Sequence, residues 1–261
     1  MFFYGCSVLF DFRKAYVVFC SQITRSRNLG MGRSELKLSS EAEEYVEAVF
    51  RLEEAYGVAR TMDLVRVLRV SPGSVTNTLG CLEKRGLVVR KPYRGVKLTD
   101  EGRRVALKIL RKHRLAERLL TDFLKMPWSD VHEVACRLEH AMDDELASAI
   151  DKALGRPEVC PHGSPIPSSN GTIKQQKAIP LTRLEANRES VVVRITDEER
   201  EKLRFLARQG LKPGVMVSVV EQKPSAVKIS VFDAEGRSRR TVALKREVAS
   251  TIWVKQLKGE T

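Results

Sequence analysis

The sequence predicts a mainly α-helical protein that ends in a small β domain. From about residue 39 to residue 155, apolar side chains recur at helical spacing, and short turns separate the runs. From residue 179 onward the pattern changes to short β-like runs, among them VVVRI, VMVSVVE and VKISVF. A segment rich in Pro, Gly and Ser, RPEVCPHGSPIPSSNGT, lies between the two parts and indicates a linker. We therefore expect helical domains followed by a small barrel.

The composition is that of a globular protein with a polyanionic partner. Of 261 residues, 43% are hydrophobic and 30% are charged, and the formal net charge is +13 with a pI near 9.7. The positive charge is local, because residues 82–118 hold thirteen Lys or Arg against four Asp or Glu. Such a basic stripe indicates nucleic acid first, and a solvated basic surface is the alternative.

Cysteine usage and hydropathy indicate a cytoplasmic protein that does not enter a membrane. The five cysteines are odd in number and scattered, without a CxxC pair, so we expect no disulfide framework. No apolar run reaches the roughly 18 residues that span a bilayer. Residues 1–37 fit no element and lack the order of a signal peptide. We expect this extension to be disordered, or translation to begin at Met31.

The first predicted helix begins after residue 39 and runs for about four turns. Ser39 or Ser40 can cap it, and Glu43 is the capping-box acid for a cap at Ser40. Gly57 is the expected end of this helix.

A helix-turn-helix follows. Thr61 is the expected cap of a short helix, MDLVRVLRV, and Ser71 caps a second one, SVTNTLGCLEKRG, which Gly86 ends. The small polar residues at the start of the second helix let its backbone enter a major groove. An Asn there can read adenine through two hydrogen bonds, and hydroxyls can reach bases or phosphates. The candidate contacts are Ser71, Ser74, Thr76, Asn77 and Thr78.

Two short strands after the second helix complete a winged helix. The runs LVVR and VKL alternate on either side of a turn at residues 92–95. We expect Arg90, Lys91, Arg94 and Lys97 to contact phosphates, which sets affinity and salt dependence but specifies no sequence. The expected partner is double-stranded operator DNA.

Three more helices are predicted between the wing and the linker. Thr99 caps a long helix that runs to about residue 124, a second begins near Ser129, and a third spans about residues 143–154. The long helix has an apolar side that one small domain is not expected to bury fully, formed by Leu107, Leu110, Leu115, Leu119 and Leu120.

Residues 111–145 concentrate side chains that bind metals, including three of the four histidines. Four donors at positions 132, 136, 139 and 140 share an arc of about 100° on one helix face. A second pair at positions 113 and 117 is spaced i, i+4. Two neighbouring helices with such stripes offer enough N, S and O donors for one or two divalent transition ions. The donors are His113, Glu117, His132, Cys136, Glu139 and His140.

The runs RKHRLAERLLTD and VHEVACRLEHAMDDE in this region resemble the metal-binding and dimerisation segment of the diphtheria-toxin-repressor family. Members of this family are iron- and manganese-dependent transcriptional repressors. The resemblance covers about residues 39–167 and, more weakly, the C-terminus. It implies a metal-controlled repressor of metal-homeostasis genes that binds DNA as a homodimer, with an SH3-like (FeoA-like) barrel at its end.

The expected organisation has five parts. An extension covers residues 1–37, a winged helix-turn-helix residues 38–98, and a helical metal-binding and dimerisation domain residues 99–155. A linker covers residues 156–178 and the barrel residues 179–258.

The resemblance also implies two metal sites. It places Glu44 with Cys136, Glu139 and His140 in a regulatory site, and His113, Glu117 and His132 in an ancillary one. Iron sensors of the family carry Met at the position of Glu44, whereas manganese sensors carry a carboxylate there and a second one at the position of Glu47. Because Cys136 stands beside these carboxylates, Mn(II) and Fe(II) both stay open.

Two further points stay open at the sequence level. Some members donate a ligand from the barrel, for which Asp197 or Glu198 is the candidate here. Cys160 and His162 stand two residues apart in the linker, where a plain loop is favoured over a metal site because related sequences carry a similar Pro-Ile-Pro connector.

Two other functions compete with the metal-controlled repressor. One is a winged-helix regulator that senses an organic ligand or an oxidant through Cys136. The other is a metal-dependent hydrolase, which is less favoured because the sequence contains no HExxH motif and no separate general base.

Overall fold

The computed structural model of the chain describes residues 38–91, 94–233 and 237–257. The predicted extension at residues 1–37, with its alternative start at Met31, lies outside the described residues. So do Pro92 and Tyr93 of the wing turn, the barrel turn at Glu235 and Gly236, and residue 258. Within the described part of the chain, no helix is long and apolar enough to cross a membrane.

A winged helix forms the N-terminal part, as the sequence predicts. Its two strands pair antiparallel, with Val88 opposite Leu98. Tyr45, Leu64 and Leu79 are fully or almost fully buried in the core that the helices enclose. The elements are α1 (Ser40–Tyr56), α2 (Thr61–Leu68), α3 (Pro72–Lys84), β1 (Val88–Lys91) and β2 (Gly95–Leu98).

Three helix starts have the side-chain caps that the sequence indicates. Ser39 accepts a hydrogen bond from the backbone N–H of Ala42, and Ser71 accepts one from Ser74. Thr99 caps the long helix α4 (Asp100–Asp122).

Two predicted caps are wrong. Thr61 is the first residue of α2, and Arg60, in extended conformation, precedes it without a side-chain cap. Glu43 is not a capping-box acid, because Ser39 and not Ser40 caps the helix. The carboxylate of Glu43 contacts His140 instead.

The long helix α4 belongs to two cores, since Leu107 and Leu110 pack in the winged-helix core while Leu115 and Leu120 pack in a second one. The helices α5 (His132–Glu139) and α6 (Asp144–Ala153) complete the second core. The apolar side of α4 is thus divided between two cores, in agreement with the expectation that one small domain does not bury it fully. Four other large apolar side chains of this region are exposed, namely Phe123, Leu124, Leu138 and Leu146.

The C-terminal part is a six-stranded sheet with its own core, in the order β3-β8-β4-β5-β6-β7, and its strand pairs are antiparallel. Val192, Val217, Ile229 and Val254 are buried in that core. The elements are β3 (Ile179–Pro180), β4 (Glu189–Ile195), α7 (Arg200–Arg208), β5 (Met216–Gln222), β6 (Ala226–Phe232), β7 (Ser238–Lys245), α8 (Arg246–Thr251) and β8 (Ile252–Gln256).

The helix of the barrel begins later than its sequence suggests. The run DEEREKLRFLARQG is helical only from Arg200, and Glu199 is in extended conformation. Glu198 therefore lies in the segment between β4 and α7, where its side chain is 5% exposed.

Gly163 lets the linker pack closely on β4. Its φ is +83°, and a Cβ atom at this position would lie 1.9 Å from the carbonyl oxygen of Val193. Beside it, the backbone N–H of Ile195 donates to the carbonyl of His162 at 2.9 Å. The glycine thus fixes the position of His162 against the barrel.

We expect Gly163→Ala to destabilise the protein by about 2 kcal/mol or more, because a backbone clash adds to the strain of a positive φ. Urea unfolding measures the change in free energy. Gly171→Ala is the matched control, since its φ is +79° with nothing within 4 Å of the added Cβ. Equal losses in the two variants would contradict the close approach.

Candidate metal centre

Two fully buried residues of α4 form the centre of the donor cluster. The spacing of His113 and Glu117 brings the His113 Nε2 atom 3.0 Å from Glu117 Oε1. The other ring nitrogen, Nδ1, lies 2.6 Å from Glu139 Oε2 of the neighbouring helix. Both ring nitrogens of His113 are therefore paired with carboxylates.

The stripe on α5 faces α4, as the helical spacing predicts. The ring centroids of His132 and His113 are 4.9 Å apart. The Cys136 Sγ atom lies 3.8 Å from His132 Nε2 and 3.9 Å from His113 Nδ1. His140 follows the last residue of α5 and keeps helical dihedral angles, so it continues the stripe.

The first helix contributes Glu47, which the resemblance implies, and Glu43, which it does not. Glu47 is buried and forms a group with His113 and Glu139. Glu44 has a side chain that is 54% exposed, and its carboxylate lies 3.8 Å from His140 Nε2. Its neighbour Glu43 accepts a hydrogen bond from His140 Nδ1 at 2.7 Å.

The linker and the barrel add three donors that sequence reasoning assigned weakly or rejected. His162 is fully buried, with Nδ1 3.1 Å from Glu117 Oε1 and 4.0 Å from Cys160 Sγ. Glu198 Oε2 lies 3.1 Å from His132 Nδ1. Cys160 and His162 lie in the linker, and both side chains turn into the cluster, which makes them candidate ligands as well as loop residues.

Four overlapping groups of donor atoms lie within 4.8 Å of one another among the described residues. They do not follow the two predicted sites, because His113 belongs to three of the groups and Glu44 and His140 to none. The groups are His113–His132–Cys136, His113–Glu117–His132–Glu198, Glu117–Cys160–His162–Glu198 and Glu47–His113–Glu139.

Opposite charges hold these ionisable groups together. Burial lowers the pKa of His132, but hydrogen bonds to Cys136, Glu117 and Glu198 outweigh burial and raise this pKa to about 11. Burial likewise opposes the charge of His162, and the carboxylate of Glu117 raises the pKa of His162 to about 11. Burial raises the pKa of Glu117 in turn, but His113 and His162 hold it well below its ordinary value.

The donor set fits a divalent transition ion. Glu117 Oε2 and His140 Nε2 are buried and have no hydrogen-bond partner among the described residues, as expected for atoms that bind something else. Carboxylate oxygens suit manganese, while imidazole and thiolate are better tolerated by iron and zinc. Such a mixed set accepts several of these ions.

The predicted DNA contacts differ in their availability. Thr78 is buried, so it is not a surface contact, because it lies on the side of α3 that packs in the core. Ser71 and Ser74 hydrogen-bond to each other, and the Thr76 hydroxyl donates to the Pro72 carbonyl. Ser71 and Thr76 are exposed near the start of α3, and Ser74 is half-buried. Asn77 is exposed on α3, as are Lys91, Arg94 and Lys97 on the wing.

Arg90 is occupied by a neighbour within the chain. Its guanidinium Nε donates to Glu83 Oε2 at 2.8 Å, and its backbone N–H donates to Glu83 Oε1 at 3.0 Å. The hydrogen bonds join the wing to the end of α3. A phosphate contact by Arg90 therefore requires the guanidinium to share or leave Glu83.

The buried cluster of His, Glu and Cys side chains joins a winged helix to a helical domain and a barrel. This combination is that of a metal-responsive DNA-binding regulator. Comparison with protein families agrees with this class. Residues 37–96 match the family model described as iron dependent repressor, N-terminal DNA binding domain. Residues 99–168 match its metal binding and dimerisation domain, and residues 179–256 match the FeoA domain.

Individual relatives match most of this chain. The iron-dependent repressor IdeR of Mycobacterium leprae is 30% identical over 227 residues, which cover 82% of this chain and 96% of that protein. The diphtheria toxin repressor of Corynebacterium efficiens is 32% identical over 195 residues, covering 71% of this chain and 85% of that protein. This chain belongs to the diphtheria-toxin-repressor family of metal-dependent transcriptional repressors.

Solved structures give the same result for the fold. A manganese-dependent transcriptional repressor in complex with manganese matches with a TM-score of 0.74 and 32% identity, covering 83% of this chain and all of that one. The IdeR of T. acidophilum matches with a TM-score of 0.73 and 29% identity, covering 85% of this chain and all of that one.

With metal ions chelated, we expect the free energy of unfolding to fall between about pH 7 and pH 9. His132 and His162 have folded-state pKa values of about 11 against an ordinary value of 6.5, so the native chain retains protons that the unfolded chain releases. Their stabilising contribution is complete below pH 6.5 and is lost as the pH rises towards 11. Each ring contributes at most about 1.4 kcal/mol per pH unit.

Urea unfolding at several pH values with a chelator present measures this decline. His162→Gln removes one of the two rings and should make the decline shallower. A wild-type stability that stays constant or increases over the same range would show that the rings are neutral in the folded protein.

Proposed function

We propose that this protein is a transcriptional repressor that binds operator DNA as a homodimer when Mn(II) or Fe(II) occupies the buried donor cluster. One observation carries the proposal: the cluster takes side chains from the winged helix, the helical domain, the linker and the barrel. Each ion held there would join at least two parts of the chain, the winged helix to the helical domain or the helical domain to the barrel. Operator DNA as the partner implies action in the cytoplasm, on genes of metal homeostasis.

The names of the relatives support this assignment over the two alternatives. Those described above are called iron-dependent repressor, diphtheria toxin repressor and manganese-dependent transcriptional repressor. The name of none of them describes a hydrolase. Cys136 also has a metal-binding role in the donor cluster. A role for Cys136 in sensing an oxidant or an organic ligand is therefore not needed to explain its position.

We assign the ligands from the groups that the fold brings together. Glu47, His113 and Glu139 join the winged helix to the helical domain, and we propose them as the regulatory set, with His140 beside them. Glu117, His132 and Glu198 join the helical domain to the barrel and are the ancillary set. Cys136 stands at the junction of the two, and Cys160 and His162 extend the ancillary set. Glu44, which the resemblance implies, requires a change of side-chain position to take part.

The chain's own residues explain how metal binding controls DNA binding. Glu47 lies on α1, and α1 packs against α2, α3 and β2. Holding Glu47 against His113 and Glu139 therefore fixes the orientation of the whole winged helix relative to the helical domain. When bound, a divalent ion supplies the positive charge that lets these carboxylates share one buried site. The winged helix has a DNA-competent arrangement and an incompetent one. Metal shifts the equilibrium to the competent arrangement only to the extent that it binds this arrangement more tightly.

A homodimer places two winged helices at the spacing of a DNA turn, about 34 Å. The exposed apolar residues Leu138 on α5 and Leu146 on α6 suit a subunit interface near the metal cluster. An interface at this place makes the separation of the two recognition helices depend on how each winged helix is held.

We expect Glu139→Gln to abolish metal-dependent operator binding while the fold and the dimer stay intact. The substitution removes the charge of a buried carboxylate that contacts His113. A mobility shift on promoter DNA, titrated with Mn(II) and separately with Fe(II) under anaerobic conditions, measures the response. Glu133→Gln is the matched control, because Glu133 lies on the same helix with a 64% exposed side chain. Undiminished metal response in Glu139→Gln would refute the ligand assignment.

Asn77 and Lys97 are expected to contribute to DNA binding in different ways. Asn77→Ala should cost about 1–3 kcal/mol on the best operator and relax the preference at one base pair, because Asn reads base edges. Lys97→Gln should weaken binding to all sequences and lower the slope of log affinity against log salt by about one. Fluorescence anisotropy at several salt concentrations separates the two effects. The same change of slope in both variants would argue against base reading by Asn77.

A further inference from the structure

Arg51 lies on α1 with its guanidinium between two carboxylates from distant parts of the chain. Its Nε and Nη2 atoms lie 2.8 Å and 2.7 Å from Glu47 Oε1, one helical turn earlier. Its Nη1 atom donates to Glu198 Oε2 at 2.5 Å, across 147 residues of sequence. Both carboxylates are shielded from solvent, with side chains 10% and 5% exposed.

The two carboxylates belong to different donor groups. Glu47 is grouped with His113 and Glu139, and Glu198 is grouped with Glu117 and His132. A single cation of the protein therefore contacts one member of each of the two proposed metal sets. Among the ion pairs that the structure describes, this is the one in which an arginine bridges both sets.

We propose that Arg51 is a built-in counter-ion that competes with the metal for Glu47 and Glu198, and that it thereby sets the metal concentration at which the repressor responds. This inference rests on the proposed function and adds a residue that controls its threshold. Arg51 itself offers no donor atom to a metal, since a guanidinium stays protonated and has no free lone pair.

The competition follows from charge and geometry. A buried carboxylate needs a partner, and the guanidinium provides one for Glu47 and Glu198 without any metal. The planar fork of arginine makes several directed hydrogen bonds, so its contacts are specific. A divalent ion bound to either carboxylate is repelled by the guanidinium at this distance. Metal binding must therefore weaken at least one of the two ion pairs.

The same contacts connect the winged helix to the barrel. Glu198 lies in the segment before α7, and Arg51 lies on the helix that carries the winged-helix core. Arg51 consequently joins these two parts through ion pairs of the chain's own residues. Metal binding has to break this connection, which costs free energy. A higher metal concentration is therefore needed before the repressor binds DNA.

The test measures metal affinity without DNA, in the full-length protein, with Mn(II) as the probe and a fluorescent chelator as competitor. We expect R51Q to bind Mn(II) at least about fivefold more tightly than the wild-type chain, a coupling of the size usual between linked sites. R51K keeps the charge but loses the fork, so its affinity should lie between the two.

The matched control is R103Q. Arg103 also pairs with carboxylates of α1, Glu53 at 2.7 Å and Glu54 at 3.8 Å, but neither belongs to a donor group. R103Q should therefore leave the Mn(II) affinity unchanged. If R103Q increased the Mn(II) affinity as much as R51Q does, the inference would be overturned, because the increase would then be a general effect of removing positive charge.

Unfolding by urea gives a second readout. With a chelator, R51Q should be less stable than the wild-type chain because the connection between α1 and the barrel is lost. At saturating Mn(II) the difference in free energy of unfolding between R51Q and the wild-type chain should become smaller, since the variant binds the metal more tightly and its folded state is stabilised more. A difference of the same size with and without Mn(II) would contradict the competition.

The outcomes separate this inference from the proposed function. If the wild-type chain binds no Mn(II) or Fe(II), the proposed function and this inference both fail. If the wild-type chain binds Mn(II) and R51Q binds it equally or more weakly, the inference alone fails. Should R51Q not fold, R51K carries the test with the same expected direction.

Discussion

The structure depends on the mutual compensation of charges that are buried away from water. Glu47, Glu117, Glu139 and Glu198 are all buried, and so are His113 and His162. A charge in such a place costs more free energy than one surface ion pair returns, unless an opposite charge or a metal ion lies beside it. The carboxylates and imidazoles therefore have to lie together, and the segments that carry them have to meet at one point.

This constraint explains why regulation and architecture coincide. The helix that supplies Glu47 also carries the winged-helix core, and the segment that supplies Glu198 precedes the barrel helix. The linker, which packs closely on β4 at Gly163, supplies His162. Any change in the charge of the cluster is consequently transmitted to the position of three structural units, which is what a metal-controlled DNA-binding protein requires.

Local patterns predict most of the fold. Caps at Ser39, Ser71 and Thr99, the turn at Gly86 and the change of period at the linker place most of the helices and strands, whereas α5 begins at His132 and not near Ser129, and α7 begins only at Arg200. Helical spacing also predicts that His113 and Glu117 face Cys136 and Glu139. These are relations between neighbours in sequence, for which dihedral geometry is sufficient.

Relations across long stretches of sequence are harder to predict. Glu43 and not Glu44 hydrogen-bonds to His140, and this depends on how α1 is rotated about its axis against the helical domain, which spacing within α1 does not fix. Glu198 enters the cluster because α7 begins at Arg200, two residues beyond it. The role of His162 depends on a close approach of linker and barrel, and its only sequence signal is that the fourth histidine stands two residues from a cysteine.

The most direct test of a single metal-binding cluster is the anomalous diffraction of crystals grown with Mn(II), recorded at the manganese absorption edge. We expect anomalous density among Glu47, His113 and Glu139, or between Glu117, His132 and Glu198, at distances of about 2.0–2.3 Å from their donor atoms. Ordered side chains at both places without anomalous density, in a crystal that contains manganese elsewhere, would contradict it.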